Sequence, residues 1–225
     1  MWGIAGILVS TSKHPPKSEE LTAMQLTMRH RGPDGDGQWI SPKGNVGLAH
    51  LRLSIIDLSK KASQPMTDGQ DKVWITYNGE IYNHQELRDQ FPDYDFSTKS
   101  DCEVILPLYE KYGPEFLDML NGIFAFAIYD SVNDEYFVAR DHIGIIPLYI
   151  GWDSKGVFYV SSELKALEGQ CEKIELFPPG QYLSSSENKF KKWYKRDWDE
   201  NDNVKNLETD ITKLRESLEN AVKRQ

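Results

Sequence analysis

Arg52, Asn78-Gly79-Glu80 and Asp101 are the residues in this 225-residue chain best able to do chemistry together. The guanidinium fork of Arg52 can clamp a carboxylate through two parallel N–H···O bonds, and Glu80 and Asp101 can receive an ammonium group. The Asn78 amide and the Gly79 backbone N–H can donate to the oxyanion of a tetrahedral intermediate. These types suffice to recognise an amino acid and stabilise attack on its side-chain carbonyl. Each also has a plainer role. Asn-Gly after an apolar run is the strongest short hairpin-turn signal, so 78–79 taken alone reads first as a turn. Arg52 on an alternating strand reads as a solvated outward residue. Asp101 behind Ser100 fits the first turn of a helix, where the dipole favours acids.

The elements that must position them follow from periodicity. Residues 3–9 are short and apolar and carry two glycines, a buried strand with close backbone approach. Ser18 offers an N-cap to a helix with Leu21, Met24 and Met28 on one face, ending at His30. Residues 31–37 are a loop by composition. Strands are expected at 37–40, at 46–57 with Leu51, Leu53 and Ile55 alternating, and at 73–77, closed by Asn78-Gly79. Helical pattern covers 85–90, 101–111 and 115–120, although Pro107 weakens the second by removing an N–H. Strands resume at 123–129, 135–140, 148–152 and 157–160, followed by a short helix at 163–168. Runs of strands with short turns and helices in their own runs give an α+β fold of antiparallel sheets. Beyond residue 190 the composition changes, and Leu207, Ile211, Leu214, Leu218 and Val222 form one stripe of an amphipathic helix. That stripe packs either on its own domain or on a separate partner.

Composition excludes several classes. Hydrophobic content of 39% with 27% charged residues describes a folded globular chain rather than a disordered one. A net charge of −9 argues against phosphate-backbone binding and against an anionic membrane surface, so neither nucleic acid nor membrane is an expected partner. No apolar run reaches the ~18 residues of a membrane helix, and residues 2–9 lack the flanks of a signal peptide. Cys102 and Cys171 make no disulfide framework, which fits a reducing, cytoplasmic setting. Cys102 reads as a buried inert thiol. His30, His50, His84 and His142 lack metal spacing, and no metal site is expected. The 31–37 loop lacks the Lys-Ser/Thr ending of a phosphate cradle, and Asp34 and Asp36 do not continue into a calcium loop.

Five segments change the weight of these readings: His30-Arg31-Gly32-Pro33-Asp34-Gly35, Arg52-Leu53-Ser54-Ile55-Ile56-Asp57, Tyr77-Asn78-Gly79-Glu80-Ile81-Tyr82-Asn83, Ser100-Asp101-Cys102-Glu103 and 140–149, Arg-Asp-His-Ile-Gly-Ile-Ile-Pro-Leu-Tyr. In this order, across about the first 190 residues, they resemble the glutaminase half of glutamine-hydrolysing asparagine synthetase of the bacterial B type, a class II glutamine amidotransferase. The resemblance implies a four-layer αββα sandwich of two antiparallel sheets, the N-terminal-nucleophile hydrolase fold, over residues 1–190. Residues 191–225 would then be a linker and a helix leading towards an ATP-dependent synthetase domain. It further implies that Arg52, Leu53, Ser54, Ile55 and Ile56, with Asn78, Gly79, Glu80 and Asp101, bind glutamine, and that Asn78 and Gly79 form the oxyanion hole. Released ammonia would pass to the second domain and aspartate.

The chain departs from that family at two points. The second residue, a cysteine that becomes the amino-terminal nucleophile, is here Trp2. An indole offers one N–H donor and no nucleophile, and methionine is normally removed only ahead of small residues. The ring is expected to point into the glutamine pocket. The Ser-Gly-Gly-x-Asp-Ser pyrophosphate loop does not occur within the 225 residues, so no cofactor is expected in this chain; ATP and magnesium would belong to a synthetase domain, supplied in trans if at all. Three readings remain. One is a glutaminase-inactive, asparagine-synthetase-type domain. Another is a non-catalytic module that senses glutamine or docks on a synthetase or a second copy through the 207–222 stripe. The third is an active enzyme with cysteine at position 2, one codon base away.

Overall fold

Residues 123–129 are apolar without interruption because the strand they form is buried on both faces. The computed structural model describes residues 2–8, 15–53, 59–195, 202, 208 and 210–224. Among these the strands are β1 Gly3–Leu8, β2 Gly35–Ile40, β3 Val46–Arg52, β4 Met66–Thr67, β5 Val73–Ile81, β6 Gly122–Asp130, β7 Glu135–Arg140, β8 Tyr149–Trp152, β9 Phe158–Ser161, β10 Lys173–Leu176, β11 Gln181–Ser184 and β12 Lys189–Lys192. The α-helices are α1 Ser18–Thr27, α2 His84–Arg88, α3 Ile105–Tyr112 and α4 Ile211–Arg224. Short 3₁₀ segments lie at Arg29–Arg31, Lys60–Ala62, Asp101–Val104, Gly113–Met119 and Leu164–Ala166.

The strands form two six-stranded antiparallel sheets, ordered β10-β8-β9-β1-β3-β2 and β12-β11-β7-β6-β5-β4. The period of two in each strand divides its side chains between layers. Ile4, Leu8 and Leu48 of the first sheet meet Ala125, Ala127 and Val138 of the second in the central core. Phe124, Phe126 and Ile128 point the other way, onto Leu106, Leu108 and Phe116 of the helical layer. On the outer face of the first sheet, Ala5 and Ile7 pack on Leu21, Met24 and Met28 of the α1 region. The architecture is therefore helix, sheet, sheet, helix. Each fully buried leucine or methionine stabilises it by about 1.5–3 kcal/mol.

Several expected boundaries move. The Asn78-Gly79 turn does not exist: β5 runs on to Ile81, with Asn78 opposite Ala125 and Gly79 opposite Phe124. Glycine is required there for a different reason. A Cβ on Gly79 would lie 2.2 Å from the Ile123 carbonyl oxygen and 2.7 Å from Phe124 Cα, so the neighbouring strand approaches too closely for any side chain. Ser18 is the first residue of α1 rather than its cap, which is Lys17, and the expected helix to His30 breaks at Met28 into a 3₁₀ turn. The 101–111 helix is two segments, a 3₁₀ turn and then α3. Pro107 thus sits in the first turn of α3, where its N–H is not needed. The helices expected at 115–120 and 163–168 are 3₁₀ segments. The strand expected over 46–57 is seen as β3, and residues 54–58 lie outside the described residues.

The chain divides into two compact units, Met1–Trp193 and Tyr194–Gln225. In the second, α4 carries an Arg215–Glu219 ion pair at 2.8 Å, and Ile211, Leu214, Leu218 and Val222 are exposed. Leu207 lies outside the described residues. Among the described residues no helix is long and apolar enough to cross a membrane.

Candidate active site

Position 2 lies where the ends of both sheets meet. β1 starts one residue later and pairs antiparallel with β3, Gly3 opposite Leu51, which brings the end of β3 beside Trp2. The indole Nε1–H donates to the Leu53 carbonyl at 2.5 Å. From the second sheet, Asn78 on β5 accepts the Trp2 backbone N–H on its Oδ1 at 2.9 Å. The indole is 8% exposed and lies 5.6 Å from the Tyr77 ring and 5.9 Å, edge to face, from that of His50. It is a member of the core shared with Tyr77, Ile81 and Cys102.

Next to it is a group of buried polar atoms that the protein leaves unsatisfied. Asp101 is fully buried; its Oδ2 accepts the Tyr77 hydroxyl at 2.6 Å and the Ile81 N–H at 2.9 Å. Its Oδ1, the Asn78 Nδ2 and the His50 Nε2 have no hydrogen-bond partner among the described residues. Arg88 Nε is the fourth such atom, and each costs roughly 1–3 kcal/mol when left dry. Burial raises the Asp101 carboxyl above its usual range despite its two donors. Glu80, half-buried, is pushed up to about 7, first by desolvation and then by the Asp101 charge. The Tyr77 hydroxyl is held well above its ordinary value by burial and by Asp101. Burial holds His50 down to about 3, so it is neutral.

Asp101 is held by a clamp that sequence reasoning did not single out. Glu103, 3% exposed at its side chain, accepts Ser97 N–H and Oγ–H at 2.7 and 3.0 Å on Oε1, and Thr98 N–H and Oγ1–H at 2.8 and 2.6 Å on Oε2. Arg88 at the end of α2 donates to the Ser100 carbonyl at 2.6 Å and sits 3.6 Å from the Glu103 carboxylate. The Ser100 side chain caps the 3₁₀ turn by accepting Cys102 N–H. Asp101 does stand in the first turn of this 3₁₀ segment, as its position behind Ser100 suggests, with its carboxyl bonded to Tyr77 and Ile81. The adjacency of Glu103 to Asp101 was the available signal, but its partners are defined only once the 97–100 segment folds back.

Arg52 is partly buried rather than freely solvated. Its guanidinium donates to the Ser59 carbonyl at 2.9 Å and reaches Ser63 Oγ at 3.5 Å. The structure thus gathers Trp2, Leu53, Asn78 and Tyr77 through direct contacts, and Tyr77 extends the set to Asp101. Ser54, Ile55 and Ile56 fall outside the described residues. Cys102 is fully buried and burial pushes its thiol well above the ordinary range, as an inert thiol requires.

Strand ends of two antiparallel sheets thus bring Trp2, the Asn78 amide and, through Tyr77, the buried Asp101 carboxyl together. The chain belongs to the glutamine amidotransferase domain family, which it matches over residues 1–196. It is 49% identical over 224 residues to "Asparagine synthetase B [glutamine-hydrolyzing]" of Escherichia coli (strain K12), covering 99% of this chain and 39% of that protein. It is 41% identical to "Asparagine synthetase [glutamine-hydrolyzing]" of Asparagus officinalis, covering 99% and 37% respectively. The chain thus spans 39% or less of the length of these two relatives. Among solved structures, glutamine phosphoribosylpyrophosphate amidotransferase from B. subtilis matches with a TM-score of 0.70 at 24% identity, over 86% of this chain and 50% of that one. That likeness shows the fold, the N-terminal-nucleophile hydrolase sandwich.

Proposed function

We propose that this chain is the glutamine-recognising amidotransferase domain of an asparagine-synthetase-type protein, with its hydrolytic step lost at Trp2. The observation that carries the reading is the unsatisfied pair of buried atoms, Asn78 Nδ2 and Asp101 Oδ1, beside a residue that has no nucleophilic group. In this assignment Arg52 clamps the α-carboxylate, Glu80 and Asp101 receive the α-ammonium, and Asn78 Nδ2 with the Gly79 N–H faces the side-chain amide oxygen. A cysteine at position 2 would place its sulfur on the Cβ now carrying the indole, next to the Asn78 oxyanion donor. The thiolate would attack the amide carbon, ammonia would leave, and water would then release glutamate. Trp2 can do none of this. Asparagine synthesis from aspartate, and the ATP and magnesium it uses, belong in this reading to a synthetase domain outside residues 1–225 or on another chain, fed by free ammonia in the cytoplasm.

The test is glutamate release from glutamine by the chain as it stands and by a Trp2→Cys variant whose Met1 removal is verified by mass. Turnover by the variant alone is the expected result; turnover by the parent chain would refute the assignment of Trp2. A second reading, a non-catalytic glutamine-sensing or synthetase-docking module, is favoured by the exposed stripe of Ile211, Leu214, Leu218 and Val222. It expects the 205–225 deletion to abolish self-association or partner binding while leaving the first unit folded.

A further inference from the structure

Between α1 and the segment 32–38 lies a cleft of about 160 Å³ that the amidotransferase residues do not line. We propose that it is a second binding site, for a small aliphatic zwitterion of the free α-amino acid class. Its size sets the first limit. Sites for drug-sized ligands run to roughly 300–1,000 Å³, so this one has room for a molecule of amino-acid size.

The cleft is preformed. Its floor is Gln25, whose Nε2 donates to the Gly37 carbonyl at 3.1 Å and the His50 carbonyl at 2.9 Å. Gln38 on the facing wall donates to Gln25 Oε1 at 2.6 Å and Thr22 Oγ1 at 2.9 Å, and accepts Ser18 Oγ–H at 2.6 Å. This ladder of side-chain bonds fixes the distance between helix and strand. The other side is fixed by close approach. A Cβ on Gly32 would lie 2.3 Å from the Leu51 backbone, so the loop lies flush on β3 and cannot move inward.

The lining supplies one charge of each sign. Arg29 and Asp36 both face the cleft, and among the described residues neither side chain has an ion pair or hydrogen bond, with each other or with any other group. A ligand carrying both charges satisfies both: its carboxylate meets the Arg29 guanidinium and its ammonium the Asp36 carboxylate. Asp36 repels phosphate, and Arg29 repels a simple cation. This disposes of the phosphate-cradle reading of the glycine-rich loop on chemical grounds. Leu51 and Leu26, the latter 61% exposed, offer apolar contact for an aliphatic side chain.

The experiment titrates the full chain with L-leucine, 4-methylpentanoate (no ammonium) and 3-methylbutylamine (no carboxylate), followed by calorimetry and saturation-transfer NMR. L-leucine is expected to bind, and loss of either charge to weaken binding about tenfold, the lower end for a charge-assisted contact in an open cleft. Arg29→Gln should weaken L-leucine to the same degree and leave 3-methylbutylamine unchanged; Asp36→Asn should do the same with 4-methylpentanoate unchanged. Both residues are exposed, so neither variant threatens the fold. The proposal is overturned by no L-leucine binding up to about 10 mM, a free energy weaker than about −3 kcal/mol. It is equally overturned by binding indifferent to both substitutions, or by binding abolished by Asp101→Asn, which assigns the ligand to the amidotransferase site. None of these outcomes bears on whether Trp2→Cys hydrolyses glutamine.

Discussion

Replacing Trp2 by alanine removes a side chain that is 8% exposed and packed in the core with Tyr77, Ile81 and Cys102. A buried tryptophan covers about 150–250 Å², which at 25 cal/mol per Å² amounts to about 4–6 kcal/mol as an upper figure. Measured truncations of core aromatics cost about 3–5 kcal/mol, because neighbours relax only in part. The Leu53 carbonyl also loses its indole donor, adding up to about 1 kcal/mol where water does not take its place. The Asn78 bond to the backbone N–H survives the substitution, so it adds nothing. The expected loss is about 4 kcal/mol, which for a domain of this size lowers Tm by about 8–16 °C. Far-UV circular dichroism melts measure it without relying on tryptophan emission. A Trp2→Phe variant, which keeps a ring and loses only the N–H, should fall between the two and stay folded if the alanine variant does not. A loss below about 1 kcal/mol for alanine, a Tm shift under about 4 °C, would show that the indole is not a core member.

Gly79→Ala places a Cβ 2.2 Å from the Ile123 carbonyl, so the strand pair must part; a loss of about 3 kcal/mol is expected in a urea titration, and a loss below about 1 would favour a turn over the strand register. Glu80, with a folded value of about 7 against 4.5 in the unfolded chain, binds its proton more tightly when folded. Its contribution is full below pH 4.5 and declines as pH rises towards 7, by about 1–2 kcal/mol after allowance for its half-exposure; Glu80→Gln should flatten that slope in urea midpoints measured across the range. Glu103→Gln replaces one of the two buried acceptor oxygens with an NH2 that cannot accept, breaking two of the four hydrogen bonds, and leaves Arg88 without its counter-charge; a cost of about 3 kcal/mol and faster amide exchange at Ser97 or Thr98 are expected. Unchanged exchange there would show that the clamp does not hold the segment leading to Asp101.

The strands legible beforehand were those with both faces buried or a clean period of two, such as β1 and β6. Their side-chain pattern is set by the layers on either side. The short strands β4, β10, β11 and β12 were not legible. Lys173–Leu176 and Lys189–Lys192 are largely polar or exposed and are extended because a partner strand pairs with them, Ile174 with Gly151 and Phe190 with Leu183. The Asn-Gly pair misled for a related reason. Local turn preference is worth little against a nine-residue ladder with β6, and only that ladder shows the glycine serving close approach.

The sequence by itself determined the chemical inventory: a guanidinium, an amide, two carboxylates, an indole at position 2 and no nucleophile there. Side-chain chemistry is a property of the residue and needs no neighbours to be read. Only the tertiary structure decided which of these groups meet. Trp2, just ahead of the first sheet's β1, and Asn78, on the second sheet's β5, are 76 residues apart yet share a hydrogen bond, and the atoms left unsatisfied beside them are defined by every other bond already made. Such meetings follow from long-range strand pairing and layer packing, for which no local window of sequence carries the information.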